Sequence, residues 1–147
     1  MRLEYRLLDE LNGYPVLYFY DNIEEEEIAL RFACDYFIKD NMTFEKTSNS
    51  VEPEGYVIYV QKKEESSCSD DNNNFTVDAG IWVELREYRQ GISDYPLVHT
   101  FKFTSYLTAL LHLQSDFLYF MGREWQKTSA EIDEDRRVYV IYAQPTS

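Results

Sequence analysis

From residue 2 to residue 8 the chain alternates, with Leu3, Tyr5 and Leu7 on one face and Arg2, Glu4 and Arg6 on the other. A period of two with one apolar face predicts a strand packed on a core. A polar stretch ending in Asn12 and Gly13 makes a turn, and residues 14–20, rich in Tyr and Phe, predict a second strand returning beside the first. Pro15 stands near its start, where a missing N–H costs least. The period then changes. Asp21 or Asn22 suits a helix N-cap, and Glu24 to Glu27 fill a first turn that favours negative charge. Ile28, Phe32 and Tyr36, flanked by Ala29, Ala33 and Phe37, extend a helical stripe to about Ile38. Residues 39–41 end it. Residues 43–50 predict a weak polar strand and residues 51–55 a turn. Residues 56–60 are apolar on both faces and predict a strand in the middle of a sheet.

Residues 63–74 are Lys, Glu, Ser, Cys, Asp and Asn, a composition that buries nothing and predicts a mobile polar loop. Beyond it the order of elements returns. The pattern predicts a strand over 75–88, a turn over 90–94 and a returning strand over 95–103. A helix follows, capped by Thr104 or Ser105, carrying Leu107, Leu110, Leu111, Phe117, Leu118 and Met121, with Gly122 just past its end. Strands over 125–132 and 138–142 flank a turn at 133–135, and residues 144–147 form a tail.

The second half also resembles the first residue by residue. Phe44, Glu45, Lys46, Thr47 and Ser48 align with Trp125, Gln126, Lys127, Thr128 and Ser129 at an offset of 81, and the same offset aligns Tyr14 and Pro15 with Tyr95 and Pro96. Leu30 and Asp35 match Leu111 and Asp116, and after a small insertion residues 56–59 and 139–142 are the same four residues, Tyr-Val-Ile-Tyr. The expectation is an α+β fold of two tandem β-β-α-β-β repeats, 1–62 and 75–147. They form antiparallel sheet with one helix per repeat, in a single domain with a pseudo-twofold axis. The strands of 56–60 and 138–142 are expected at its centre.

Composition narrows the function without naming it. A net charge of -13 disfavours direct contact with nucleic acid or an anionic membrane. No apolar run approaches a membrane span, and the N-terminus carries no apolar signal region. Cys34 and Cys68 fit no metal or redox motif, as expected for a reduced cytoplasmic chain. His99 and His112 stand outside any ligand spacing, so no catalytic residue, cofactor or metal site is expected, and the chain reads as non-enzymatic.

Three features remain as candidates for binding. Lys46 and Lys127, each followed by Thr-Ser, would serve as paired anion sites or as solvent-facing residues of an edge strand. The run of Glu24 to Glu27 caps a helix with a solvated face, or forms an acidic knob for a metal or a partner. Tyrosine is abundant, with 13 residues, and period-two spacing sets Tyr14, Tyr18 and Tyr20 on one strand face. Tyr18, Tyr20, Tyr59, His99, Lys46 and Lys127 are therefore the candidate binding residues. The leading expectation is a binding or regulatory protein that engages a protein partner or its own copy through an aromatic sheet face or an acidic surface. The alternative is a small-molecule binder or an enzyme with a pocket between the repeats.

Overall fold

The computed structural model describes residues 1–63, 80–92 and 94–146. The alternating apolar residues of the first hairpin form β1 (Leu3–Leu7) and β2 (Val16–Tyr20), which pair antiparallel. After them come α1 (Glu25–Phe32), β3 (Tyr36–Lys39), β4 (Met42–Glu52) and β5 (Gly55–Lys63). The second half carries β6 (Ile81–Glu87), β7 (Leu97–Phe103), α2 (Tyr106–Gln114), β8 (Phe117–Phe120), β9 (Arg123–Asp133) and β10 (Val138–Pro145). The loop expected over 63–74 lies, apart from Lys63, outside the described residues, as do Cys68 and the first part of the strand expected over 75–88.

Both helices are shorter than their apolar stripes suggest, and each is followed by a short strand that the sequence reading merged into it. The order in each half is therefore β-β-α-β-β-β, not β-β-α-β-β. The physical reason lies at the turns. Asp40 and Asn41 have φ of 52° and 65°, and Met121 and Gly122 have φ of 53° and 73°. Two consecutive left-handed residues make the tight hairpin turn whose twist suits antiparallel strands. The apolar residues before each turn pair as strands, Phe37 opposite Phe44 and Leu118 opposite Trp125. The cap of α1 is Glu24, not Asp21 or Asn22, whereas Ser105 caps α2 by accepting from the Thr108 amide. Cys34 lies beyond the end of α1, buried, with its thiol donating to the Leu30 carbonyl.

Among the described residues ten strands join one sheet, in the order β2-β1-β5-β4-β3-β9-β10-β6-β7, with β8 beside β9. The sheet is mixed rather than antiparallel. β1 runs parallel to β5, β6 parallel to β10, and β3 parallel to β9. The centre is the trio β4, β3 and β9, so β5 and β10 are displaced outward from the middle position expected of them. The strand hidden in the helical stripe is the one that joins the halves.

That junction is tightly specified. Tyr36, Phe37 and Ile38 face Glu131, Ile132 and Asp133. The Asp35 amide donates to the Ala130 carbonyl at 2.8 Å, and the Asp35 carboxylate accepts from the Ala130 amide at 2.9 Å. The Asp135 carboxylate accepts from the amides of Asp40 and Asn41 at 2.8 and 2.9 Å, which pins the left-handed turn. Hydrogen bonds of this charge-assisted kind contribute about 1.5–3 kcal/mol each.

Matching positions of the two halves make matching contacts. Lys46 donates to the carbonyl of Phe32 at the end of α1, and Lys127 to that of Leu113 at the end of α2. Thr47 and Thr128 donate to the carbonyls of Tyr59 and Tyr142, both at 3.0 Å. The amides of Lys46 and Lys127 donate to Asp35 and Asp116 carbonyls, both at 2.8 Å. β4 and β9 are interior strands, which corrects the reading of the Lys-Thr-Ser segments as an edge.

Both helices lie on one face of the sheet, over Leu3, Tyr5, Ile58, Val60, Val83, Leu85 and Ile141. The halves differ in how fully they are covered. Leu30 and Ile132 are 1% and 4% exposed, while their counterparts Leu111 and Val51 are 57% and 75% exposed. β3 is paired on both sides, whereas β8, among the described residues, is paired with β9.

Candidate functional site

The six candidate residues do not converge. Tyr18 packs edge-on against Phe37 and Phe44, and its hydroxyl reaches Asp40 at 3.3 Å. Tyr20 lies under the Arg31 guanidinium, 4.9 Å from the ring centre, and donates to Glu134. Tyr59 lies on the other sheet face, donating to Glu52 and packing edge-on against Tyr14. Tyr14 is thereby separated from Tyr18 and Tyr20, because its φ of 54° and the irregular register of β2 break the alternation. His99 stacks on Phe120 at 4.5 Å, beside Phe101. Lys46 and Lys127 satisfy helix C-terminal carbonyls, where a cation also meets the negative end of the helix dipole.

A different group does converge, on the face of the sheet away from the helices. Tyr36 of β3, Thr43 of β4 and Lys63 of β5 face Ser129 and Glu131 of β9 and Tyr142 of β10 across a cavity of about 420 Å³. Tyr88, Gly91, Ile92 and Tyr95, from the connection between β6 and β7, complete its wall. The cavity thus spans the β3–β9 junction and draws on both halves. Its size falls within the range of small-molecule sites.

The local geometry follows from strand alternation. Glu131 and Ser129 are two apart on β9, and Tyr142 lies opposite Ser129, so all three point to the same face. Tyr36 lies opposite Glu131 across the junction. The rings of Tyr88 and Tyr95 are 5.2 Å apart, and those of Tyr95 and Tyr142 are 5.3 Å apart and edge-on. On the far wall the Lys63 ammonium stands 4.6 Å from the centre of the Tyr36 ring.

Glu131 is the buried acid of this cavity, 4% exposed. It accepts from the Tyr142 hydroxyl at 2.9 Å. Burial pushes its carboxyl up to about 7 against the lowering effect of that hydrogen bond; Asp133 and Glu84 add to the rise and Arg136 opposes it. Burial and the neighbouring Glu131 also hold the Tyr142 hydroxyl well above its ordinary value. Beneath lies a saturated ionic group. Glu84 is fully buried and receives Arg86 and Arg136, with Arg136 also held by Asp133 at 2.9 Å. Burial raises the Glu84 carboxyl, but the two guanidinium groups outweigh that and set it below its ordinary value. This network is a rigid charged floor with its donors engaged.

On the helix side a second cavity, about 270 Å³, runs past Leu30, Arg31, Ile132, Glu134 and Tyr139. Arg31 Nε and the Tyr139 hydroxyl are buried there without a hydrogen-bond partner among the described residues. Among the described residues, no group of three or more His, Cys, Asp and Glu is placed to hold a metal, and no helix is long and apolar enough to cross a membrane.

The sequence reading missed Tyr36, because it was assigned to a helix, and Glu131, because one carboxylate among 27 acidic residues carries no mark of its own. A usable signal existed in the comparison of halves. Glu131 aligns with Ser50, Tyr36 with Phe117 and Tyr88 with Leu7, whereas Tyr95, Ser129 and Tyr142 match Tyr14, Ser48 and Tyr59, so the cavity adds divergent residues to shared ones. Comparison with protein-family models, with curated proteins and with solved structures finds no match.

Proposed function

We propose that this chain is a small-molecule-binding protein whose site is the tyrosine-lined cavity at the β3–β9 junction. The observation that carries this reading is the convergence of Tyr36, Tyr88, Tyr95, Tyr142 and a buried Glu131 on one cavity of about 420 Å³. Aromatic walls with a few placed polar groups are what ligand pockets require. The activity is binding rather than turnover. Thermal-shift measurement against a panel of metabolites tests it, comparing the wild-type chain with Ser129→Trp, whose added ring fills the cavity. A compound that raises the melting temperature of the wild type and not of the variant supports the reading. A panel with no such compound sinks it.

The reading includes two further elements. The halves are copies of one ancestral unit related by a pseudo-twofold axis, supported by the matched Lys, Thr and amide contacts. The chain works in the cytoplasm, in keeping with a buried free thiol at Cys34. A second reading, self-association, is favoured by one observation. Leu111 and Val51 stand exposed where their counterparts are buried by the junction, and β8 offers the edge that β3 has paired. In that reading β8 of one copy pairs with the end of β4 in another. Sedimentation equilibrium decides it: a concentration-dependent dimer that Val51→Lys dissociates supports it, and a monomer up to high concentration excludes it.

A further inference from the structure

Taking the cavity as the binding site, we infer that its ligand is a protonated amine carried on a flat apolar body. The walls are four phenol rings, which attract cations to their faces. One wall already holds a cation: the Lys63 ammonium lies over Tyr36 at 4.6 Å, from an exposed side chain free to swing outward. The acid of the cavity, Glu131, is buried and, among the described residues, receives a single side-chain hydrogen bond, from Tyr142. An ionised carboxylate accepts at both oxygens, so capacity remains for an ammonium donor. The cations nearest to it are committed elsewhere, since Arg136 binds Glu84 and Asp133, and Arg86 binds Glu84. The net charge of -13 draws cations toward the whole molecule and repels anions. An incoming ammonium ionises Glu131 and takes the place that Lys63 holds over the ring.

The same geometry makes binding depend on pH. The groups facing Glu131 are Tyr142 from β10, Asp133 along β9, Arg136 from the following turn, Glu84 from β6, and Tyr36 and Lys63 across the cavity. Tyr142 keeps its proton and Arg136 its charge through neutral pH, their shifts both being upward. Glu131 is the one that changes charge there. With its carboxyl at about 7, the ionised fraction falls about tenfold between pH 8 and pH 6, and the affinity for an amine falls with it.

Three probes share one body and differ in charge: phenethylamine, 2-phenylethanol and phenylacetate. Isothermal titration of each into the full chain at pH 8 is expected to give the amine at least tenfold tighter binding than the alcohol, and no binding of the acid. The amine dissociation constant is expected to rise about tenfold from pH 8 to pH 6. At pH 6 binding is expected to release close to one proton, read from the dependence of the heat on buffer ionisation. Glu131→Gln, which keeps the shape and the tyrosine hydrogen bond, is expected to abolish both the proton release and the pH dependence. Lys63→Met is expected to tighten amine binding by removing the competing ammonium. An alcohol that binds as tightly as the amine, an acid that binds best, or a Lys63→Met variant that loses amine binding overturns the inference. Failure of all three probes while Ser129→Trp blocks some other panel compound overturns the ligand class and leaves the pocket standing. Amine binding untouched by Ser129→Trp overturns the site itself.

Discussion

At Glu131, burial competes with one tyrosine hydroxyl for control of the proton, and burial wins. The folded state binds that proton more tightly than the unfolded chain, whose glutamates titrate near 4.3. The stabilisation is therefore full below the unfolded value and is lost as the pH rises through about 7. Glu84 has the opposite sign. Its lowered carboxyl supplies stability above the unfolded value that disappears in acid. Comparing wild type with Glu131→Gln isolates the first effect. Relative to the wild type, the variant should gain on the order of 2–3 kcal/mol between pH 5 and pH 8, read as a widening gap in melting temperature. The Tyr139 hydroxyl offers a second test, because it is buried without a partner among the described residues. An unsatisfied buried hydroxyl costs roughly 1–3 kcal/mol, so Tyr139→Phe should raise the urea midpoint without changing the slope.

The elements differ in how much of them could be read from the chain. β1 was plain from alternation, and β5 and β10 from continuous apolar runs, because period and burial agree there. β3 and β8 were not. Tyr36, Phe37 and Ile38 continue the spacing of Ile28 and Phe32 by coincidence, and a four-residue strand is too short to establish a period of its own. The hairpin turns after them lack the Asn-Gly pair that marks such turns; Asp40-Asn41 is held left-handed by the Asp135 carboxylate, and at Met121-Gly122 the glycine accepts that conformation freely. The candidate cavity was less legible still, since it depends on β3 being a strand and on register across the junction. The Lys-Thr-Ser segments were located correctly but assigned the wrong work. Lys127→Met should cost about 1 kcal/mol by removing the side-chain donor to the Leu113 carbonyl, and Lys46→Met should cost less, because Asn49 also donates to the Phe32 carbonyl at 3.1 Å. Hydrogen exchange should separate β3 from β8. The amides of Phe37 and Ile38 lie in a doubly paired strand and should be protected longer than those of Leu118 and Tyr119.

For the whole molecule, the consequence of the β3–β9 junction is a continuous sheet that brings Tyr36 and Lys63 against Glu131 and Tyr142. The Asp135 carboxylate, bound to two amides of the opposite half, holds that arrangement from the rim. Asp135→Ala should destabilise the fold by roughly 2–3 kcal/mol and weaken binding in the cavity by loosening its far wall, measured by chemical unfolding and by titration of the same preparation. The apolar residues left exposed on the second half, Leu107, Leu111, Phe117, Tyr119 and Met121, lie outside this cavity, so their replacement by polar residues should leave ligand binding intact.

The central claim is that the cavity at the junction, on the sheet face away from the helices, is where this protein binds its ligand. Its most direct test is a titration of isotopically labelled chain with phenethylamine, followed by heteronuclear NMR. The perturbed amides and side chains are expected to cluster on Tyr36, Thr43, Ser129, Glu131 and Tyr142, from both halves at once. Perturbations confined to the helix face, or to the outer strands β2 and β7, would contradict it.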